Sequence, residues 1–298
     1  MKKLISILAA AAMMAGCLCG CNAAQNNELQ KYKRISFESE TLGEQAWTID
    51  ENANFINKAT EVYENQMPIY EISKRNITEE EYEGLRETLG IEAWYHDGYD
   101  GSEIHSLLAP YNAPERGYYS QLNMTDEELE RMAWEVFNKI PFMEGEFEYL
   151  GISSTYTVWT MDEGEIVQAV MVSFRRLLDG VRVVGEEVCD LTFDGSGLQE
   201  MHISLYDYKK IGTMDMVTLE KAEEKVKTPD SFSIDKEGTI NKMQADRVKL
   251  LLINQYSRGC TILQPIYNFI GTATLEDGTQ TEFSSKVIAI PEEMTYEE

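Results

Sequence analysis

Histidine side chains are well suited to proton transfer and metal binding near neutral pH, and this chain of 298 residues contains three of them. His96, His105 and His202 show neither the H-E-x-x-H pattern nor another close metal-ligand spacing. The segment between the first two, Asp97-Gly98-Tyr99-Asp100-Gly101, fails as a calcium loop because Tyr99 occupies the third position, where an oxygen ligand is needed. The spacing therefore predicts no metal site.

The sequence also contains no clear motif for catalysis by a serine nucleophile or by a pair of carboxylates. Ser196 lies in Asp194-Gly195-Ser196-Gly197, where a nucleophile elbow would need glycine in place of Asp194, so a tight turn is the better interpretation. No glycine-rich phosphate loop is present, and the 52 acidic residues are too many to single out an acid and a base. We therefore expect no catalytic residue, no cofactor and no enzymatic activity; a hydrolase such as a glycosidase is the third hypothesis, after the two binding functions given below.

Cysteine carries the clearest chemical signal, because three of the five cysteines lie at the end of an export segment. Lys2 and Lys3 precede an uncharged, mostly apolar run, Leu4 to Ala15, which is too short to span a membrane and has the layout of a signal peptide. The run is followed by Leu18-Cys19-Gly20-Cys21, which resembles the lipobox of bacterial lipoproteins. Residues 1–20 are thus predicted to be a lipoprotein signal peptide.

Lipidation is predicted at Cys21, the first residue of the mature chain. Met14-Ala15-Gly16-Cys17 is a second frame, but leucine is the commoner first residue of such boxes, and a polar tether follows Cys21 directly. Palmitate-type acyl chains attach a protein to a membrane surface without a spanning helix. We expect a protein anchored through Cys21 to lipid on the extracytoplasmic face of the cell membrane.

The charge balance excludes one class of partner. The formal net charge is −26, and removal of the signal segment takes away two lysines and no acidic residue. Such a surface repels polyanions. Nucleic acid is therefore not expected as a partner.

The remaining two cysteines, Cys189 and Cys260, fall in predicted strands or strand ends. Disulfides persist outside the cytoplasm, so one bond between these two residues is an open alternative to two unpaired thiols.

Aromatic residues concentrate between Ile91 and Ser120, among glycines and prolines. Aromatic side chains on loops often anchor partners, although they also cap the ends of cores. The partner surface predicted on this basis comprises Trp94, Tyr95, Tyr99, Tyr118 and Tyr119.

Two helices have clear start signals. Thr78-Glu79-Glu80-Glu81 and Thr125-Asp126-Glu127-Glu128 are capping boxes, and each precedes apolar residues at helical spacing. Pro141 ends the second helix, because a residue before proline avoids the helical region. A short third helix is predicted from about Leu219 to Lys227.

The strand pattern sets the fold class that we expect. Runs rich in β-branched and aromatic residues, separated by turns such as Asp179-Gly180, follow a helix at 125–206 and more loosely at 218–290. This order predicts an α+β fold of antiparallel β-meanders, each packed against a helix, in two subdomains. The predicted organisation is signal peptide 1–20, lipidated tether 21–34, N-terminal α+β region 35–120, and a helix-plus-sheet region 121–298, which could be duplicated.

Three segments carry a family resemblance: Val172 to Gly185 with its Asp-Gly-Val turn, Leu191 to Leu198 with Phe-Asp-x-x-Gly, and Thr218 to Ala222 opening a helix. This pattern resembles PepSY-like domains and the YycH/YycI-type regulatory proteins over about 125–290. The resemblance implies a PepSY-like, non-catalytic extracytoplasmic module that binds another protein, such as a peptidase or a kinase sensor domain. The chain departs from the YycH/YycI type by having a lipobox in place of a spanning helix.

The function expected from the sequence is that of an anchored binding or regulatory lipoprotein acting through contacts with an extracytoplasmic or membrane protein. The alternative is a ligand-binding lipoprotein that holds a solute, a glycan or a divalent cation near residues 94–119.

Overall fold

The secondary structure is dominated by strands. A computed structural model describes residues 31–37, 47–89, 96–97, 103–107, 122–160 and 164–296. Strands account for 57% of the structure and helices for 16%. Among the described helices, none has the length and apolarity that crossing a membrane requires.

The described helices are α1 (Glu79–Leu89), α2 (Asp126–Phe137) and α3 (Leu219–Glu224). The strands, in chain order, are β1 (Tyr32–Lys33), β2 (Trp47–Asn57), β3 (Gln66–Lys74), β4 (His96–Asp97), β5 (Glu103–Leu107), β6 (Glu146–Thr160), β7 (Gly164–Leu178), β8 (Val181–Gly185), β9 (Val188–Asp194), β10 (Gly197–Ser204), β11 (Tyr206–Asp215), β12 (Ser231–Ile234), β13 (Gly238–Asn254), β14 (Gln264–Leu275), β15 (Gln280–Ile288) and β16 (Thr295–Tyr296).

Both predicted capping boxes are confirmed. The Thr125 side chain accepts from the Glu128 backbone N–H, while the Glu128 carboxylate accepts from the Thr125 backbone N–H at 2.9 Å. Thr78 and Glu81 make the same reciprocal pair at the start of α1. These pairs satisfy backbone donors that a helix start otherwise leaves without partners.

The fold class expected from the sequence is wrong. The described strands include a 12-stranded mixed sheet with the order β12-β15-β14-β13-β8-β7-β9-β10-β5-β4, to which β2 and β6 also pair. The 17-residue strand β13 runs parallel to β8, so it joins the two supposed meanders into one sheet. Local periodicity cannot reveal this pairing, because it joins Leu251 to Arg182 across a long stretch of chain.

The helices also depart from the expected arrangement. α1 and α2 both contribute to one cluster with β7, β9 and β10, through residues such as Leu85, Phe137 and Phe174. In the second half of the chain, the described helix α3 has six residues, and its Ala222 packs against β13, β14 and β15. The α+β picture of one covering helix for each meander therefore does not hold.

One cluster combines residues from both sides of position 120. Leu85 and Ile104 lie in the same buried cluster as Phe137 and Val172. Residues Tyr32–Glu298 form one compact unit. The predicted boundary at residue 120 stays a prediction.

Candidate binding cleft

Several residues selected from the sequence lie outside the described ranges. They are Cys21 and its alternative Cys17, and the five aromatic residues Trp94, Tyr95, Tyr99, Tyr118 and Tyr119. Lipidation and the aromatic partner surface therefore stay predictions.

The two cysteines of the folded part are not paired in the structure. Cys189 and Cys260 are buried free thiols that belong to different hydrophobic clusters. Burial raises the pKa of both thiols, although Lys33 acts in the opposite direction on Cys260. A protonated thiol is a poor nucleophile, so neither residue is arranged for covalent chemistry.

A cleft lies beside the N-terminal segment 33–37, which contacts Gln264 at the start of β14 and Gln255 just after β13. The side chain of the fully buried Gln264 accepts from the Ile35 backbone N–H at 3.1 Å and donates to the Lys33 carbonyl at 2.5 Å. Gln255 makes a similar pair with Ser36, accepting at 3.0 Å and donating at 2.9 Å. These four bonds hold the segment in a defined position.

The cleft is basic in a strongly acidic protein. Its cavity has a volume of about 620 Å³, and Lys33, Arg34 and Arg258 line it together with Phe37 and Asp230. We call this site the basic cleft and define it by those three cations.

A fourth cation contacts one of the residues that line the basic cleft. The Lys286 ammonium lies 5.6 Å from the centre of the Phe37 ring, which is within range of a cation–π contact. Three cations thus line a cavity that has one carboxylate among its lining residues, and a fourth cation contacts the ring of its lining residue Phe37. Such a surface favours an anionic group.

An ion pair separates the basic cleft from a second cavity. Arg34 Nη2 lies 3.2 Å from the Asp230 carboxylate, whose other oxygen accepts from the Ile288 backbone N–H at 2.8 Å. Both residues also line the neighbouring cavity of about 630 Å³. Lys225 and Glu292 line this second cavity too, and they form an ion pair at 3.1 Å. Lys225 lowers the pKa of Glu292, so that pair is charged at neutral pH.

A buried polar network elsewhere is better explained by folding than by function. The Glu187 carboxylate accepts from Arg176 Nε at 3.1 Å and from the Tyr208 hydroxyl at 2.9 Å. The Asn254 side chain donates to the same hydroxyl at 3.1 Å. Buried polar groups with such mutual partners fix the relation between strands, so we assign this network to the core.

Comparison with known proteins adds no assignment. No protein-family model matches the chain, and a search of curated proteins also finds no match.

Sequence reasoning missed the residues of the basic cleft. Lys33 and Arg34 belong to Lys31-Tyr32-Lys33-Arg34, a dense run of positive charge in an acidic chain, and this signal could have been recognised. Arg258 lies more than two hundred residues away, and nothing in the sequence relates it to that run.

Proposed function

We propose that this chain is a lipid-anchored extracytoplasmic protein that acts without catalysis, as a binding or regulatory module through protein contacts. In this proposal the basic cleft binds an acidic segment of the partner. The observation that carries it is the convergence of Lys33, Arg34 and Arg258 on one cavity in a chain of net charge −26. Clusters of arginine and lysine are a recurring means of binding acidic motifs.

The position of the cleft favours a partner at the membrane. Eleven residues lie between Cys21 and Lys33, and such a length of chain spans at most about 40 Å. If Cys21 carries acyl chains, the basic cleft stays within that distance of the bilayer. An acidic segment close to the membrane is therefore the favoured ligand, and the resemblance of residues 125–290 to PepSY-like regulators agrees with a protein partner.

A second function is favoured by the size of the cavity. Pockets for small molecules commonly measure about 300–1,000 Å³, and the basic cleft lies within that range. A ligand-binding lipoprotein would hold an anionic solute or glycan there. Such a ligand would raise the melting temperature of the isolated protein, because it binds only the folded state.

The anchor is tested by Cys21→Ala. We expect the substitution to abolish labelling by a fatty-acid analogue and to release the protein from the membrane fraction. The matched control is Cys17→Ala, which should leave both properties unchanged. The opposite result would move lipidation to Cys17, persistence of labelling in both variants would place the acyl chains on another residue, and absence of labelling in the wild type would refute lipidation.

The partner is tested by photo-crosslinking in cells. A photoreactive amino acid replaces Ser36, which is exposed at the basic cleft, or Gln280, which is exposed on β15 and does not line it. We expect a partner band from position 36 and none from position 280.

Charge variants then decide whether the cleft is responsible. Lys33→Gln with Arg258→Gln should lower the crosslink yield at position 36 about tenfold or more, since a lost charge-assisted bond is worth about 1.5–3 kcal/mol. Lys242→Gln with Arg247→Gln, which removes two exposed charges of the same kinds from β13, should not lower it. Equal yields in the two double variants would contradict the proposal.

A further inference from the structure

The basic cleft and the second cavity share a boundary. Arg34 and Asp230 line both of them, and these two side chains form an ion pair there. In the parallel pairing of β1 and β16, Lys33 is opposite Tyr296, and the Arg34 backbone N–H donates to the Tyr296 carbonyl at 3.0 Å. Lys33 lines the basic cleft, whereas Tyr296 lines the second cavity. One short pair of strands therefore carries residues of both cavities.

The two cavities differ in the charge of their described lining residues. The basic cleft has three cations against one carboxylate. In the second cavity, Arg34 is paired with Asp230 at 3.2 Å. Lys225 is paired with Glu292 at 3.1 Å, so the lining charges of this cavity balance. The acidic groups of a ligand are therefore attracted to the basic cleft, and the second cavity suits an uncharged group.

The second cavity has an exposed aromatic ring in its lining. Tyr296 is 47% exposed, and the exposed Thr228 lines the same cavity. Tyrosine is a frequent anchor at interfaces, because its ring gives a large contact area at a small cost in conformational entropy. The second cavity therefore fits an apolar or aromatic side chain of a ligand.

Hydrogen bonds hold both cavities in shape before a ligand binds. The Asp230 carboxylate accepts from the Ile288 backbone N–H at 2.8 Å as well as from Arg34. The Thr228 backbone N–H donates to the Lys225 carbonyl at 2.9 Å. A site that is already ordered loses less conformational entropy when it binds a ligand.

We propose that the two cavities form one groove for an extended segment of the partner protein. Acidic residues of the segment occupy the basic cleft, and a neighbouring apolar or aromatic residue packs on Tyr296. This groove rests on the proposed function, because its ligand is the same partner. Each cavity is about 10 Å across, so the groove takes about six residues of extended chain, with the Arg34–Asp230 pair at its middle.

The groove is tested by photo-crosslinking in cells from both cavities. A photoreactive amino acid replaces Thr228 in the second cavity, or Ser36 in the basic cleft. We expect both positions to capture the same protein. Mass spectrometry of the crosslinked peptides should place the two attachment points on one segment of that protein, about three to six residues apart.

A synthetic peptide with the sequence of that segment then serves as the probe. Its affinity for the mature protein, purified from membranes in mild detergent, is measured by fluorescence anisotropy. We expect the whole peptide to bind at least about tenfold more tightly than either of its halves, because the second contact is made at a high effective concentration.

Variants of Tyr296 separate the second cavity from the basic cleft. Tyr296→Ala should weaken binding of the peptide at least about fivefold, whereas Tyr296→Phe, which keeps the ring, should bind it as the wild type does. The control is Ile211→Ala, which removes an exposed apolar side chain of β11 that lines neither cavity and should leave the affinity unchanged. The melting temperature of each variant shows whether it folds.

The outcomes distinguish the groove from the proposed function. A crosslink from position 36 without one from position 228 would overturn the groove and leave the basic cleft as the binding site. Attachment points on separate segments of the partner would do the same, as would equal affinities of Tyr296→Ala and Ile211→Ala. Absence of a crosslink from position 36 would contradict the proposed function and the groove together.

Discussion

The buried ion pair of Arg176 and Glu187 supports a prediction with a calculable size. The two side chains are 11% and 3% exposed, and the Arg176 guanidinium also lies 4.7 Å from the centre of the Phe147 ring. Removal of one partner of a buried pair leaves the other charge uncompensated, which costs about 3–5 kcal/mol. We therefore expect Arg176→Met to lower the free energy of unfolding at pH 7 by about that amount.

The pH dependence gives a second, independent measure. Burial raises the pKa of Glu187 above its ordinary value of 4.5, while Arg176 lowers it in opposition. A carboxyl whose pKa is raised on folding favours the folded state at low pH, and this contribution is lost as the pH rises through the folded-state pKa. Without Arg176 the pKa of Glu187 rises further. The loss in free energy of unfolding caused by Arg176→Met should therefore shrink as the pH falls from 7 toward 4.5, by at most about 1.4 kcal/mol per pH unit.

Urea denaturation followed by circular dichroism at pH 7 and pH 5 measures both quantities. The matched control is Arg131→Met, which breaks an exposed pair with Glu135 whose side chains are 67% and 57% exposed. That substitution should cost less than about 1 kcal/mol at either pH. The prediction would be refuted if Arg176→Met lowered the free energy of unfolding by no more than Arg131→Met does. It would also be refuted if the loss caused by Arg176→Met grew as the pH fell.

Three further predictions concern stability and use the same denaturation assay. Phe174→Ala should cost about 3–5 kcal/mol, because this ring is fully buried in an aromatic cluster; a loss under about 1 kcal/mol would contradict that packing. Gly185→Ala should cost at least about 1–3 kcal/mol, because φ is +113° and a Cβ would lie 2.2 Å from the Asn254 carbonyl oxygen. Wild-type stability of this variant would show that the two paired strands are not so close at this position. Thr125→Ala should cost about 1 kcal/mol through loss of the capping box, and the same loss in a Glu128→Ala background should be smaller if the two groups act as a pair.

Local features of the fold were predictable from the sequence because their causes are local. The capping boxes of α1 and α2 depend on side chains three residues apart, and the turn at Asp179-Gly180 depends on two residues that accept positive φ, here +49° and +76°. The arrangement of the sheet was not predictable, because apolar periodicity shows that a strand has a buried face but not which strand it pairs with. The parallel pairing of β13 with β8 is therefore where the expected fold class failed.

The amino-acid sequence alone determined the starts of α1 and α2, and it is the basis for predicting the export signal, the anchor at Cys21 and the exclusion of nucleic acid, since each depends on composition or on neighbouring residues. Only the tertiary structure brought Arg258 to Lys33 and Arg34. The basic cleft combines residues that are far apart in the chain, and their proximity follows from burial of apolar surface along whole strands. The charged residues that define the cleft are held in place by buried apolar neighbours such as Ile35 and Ile288.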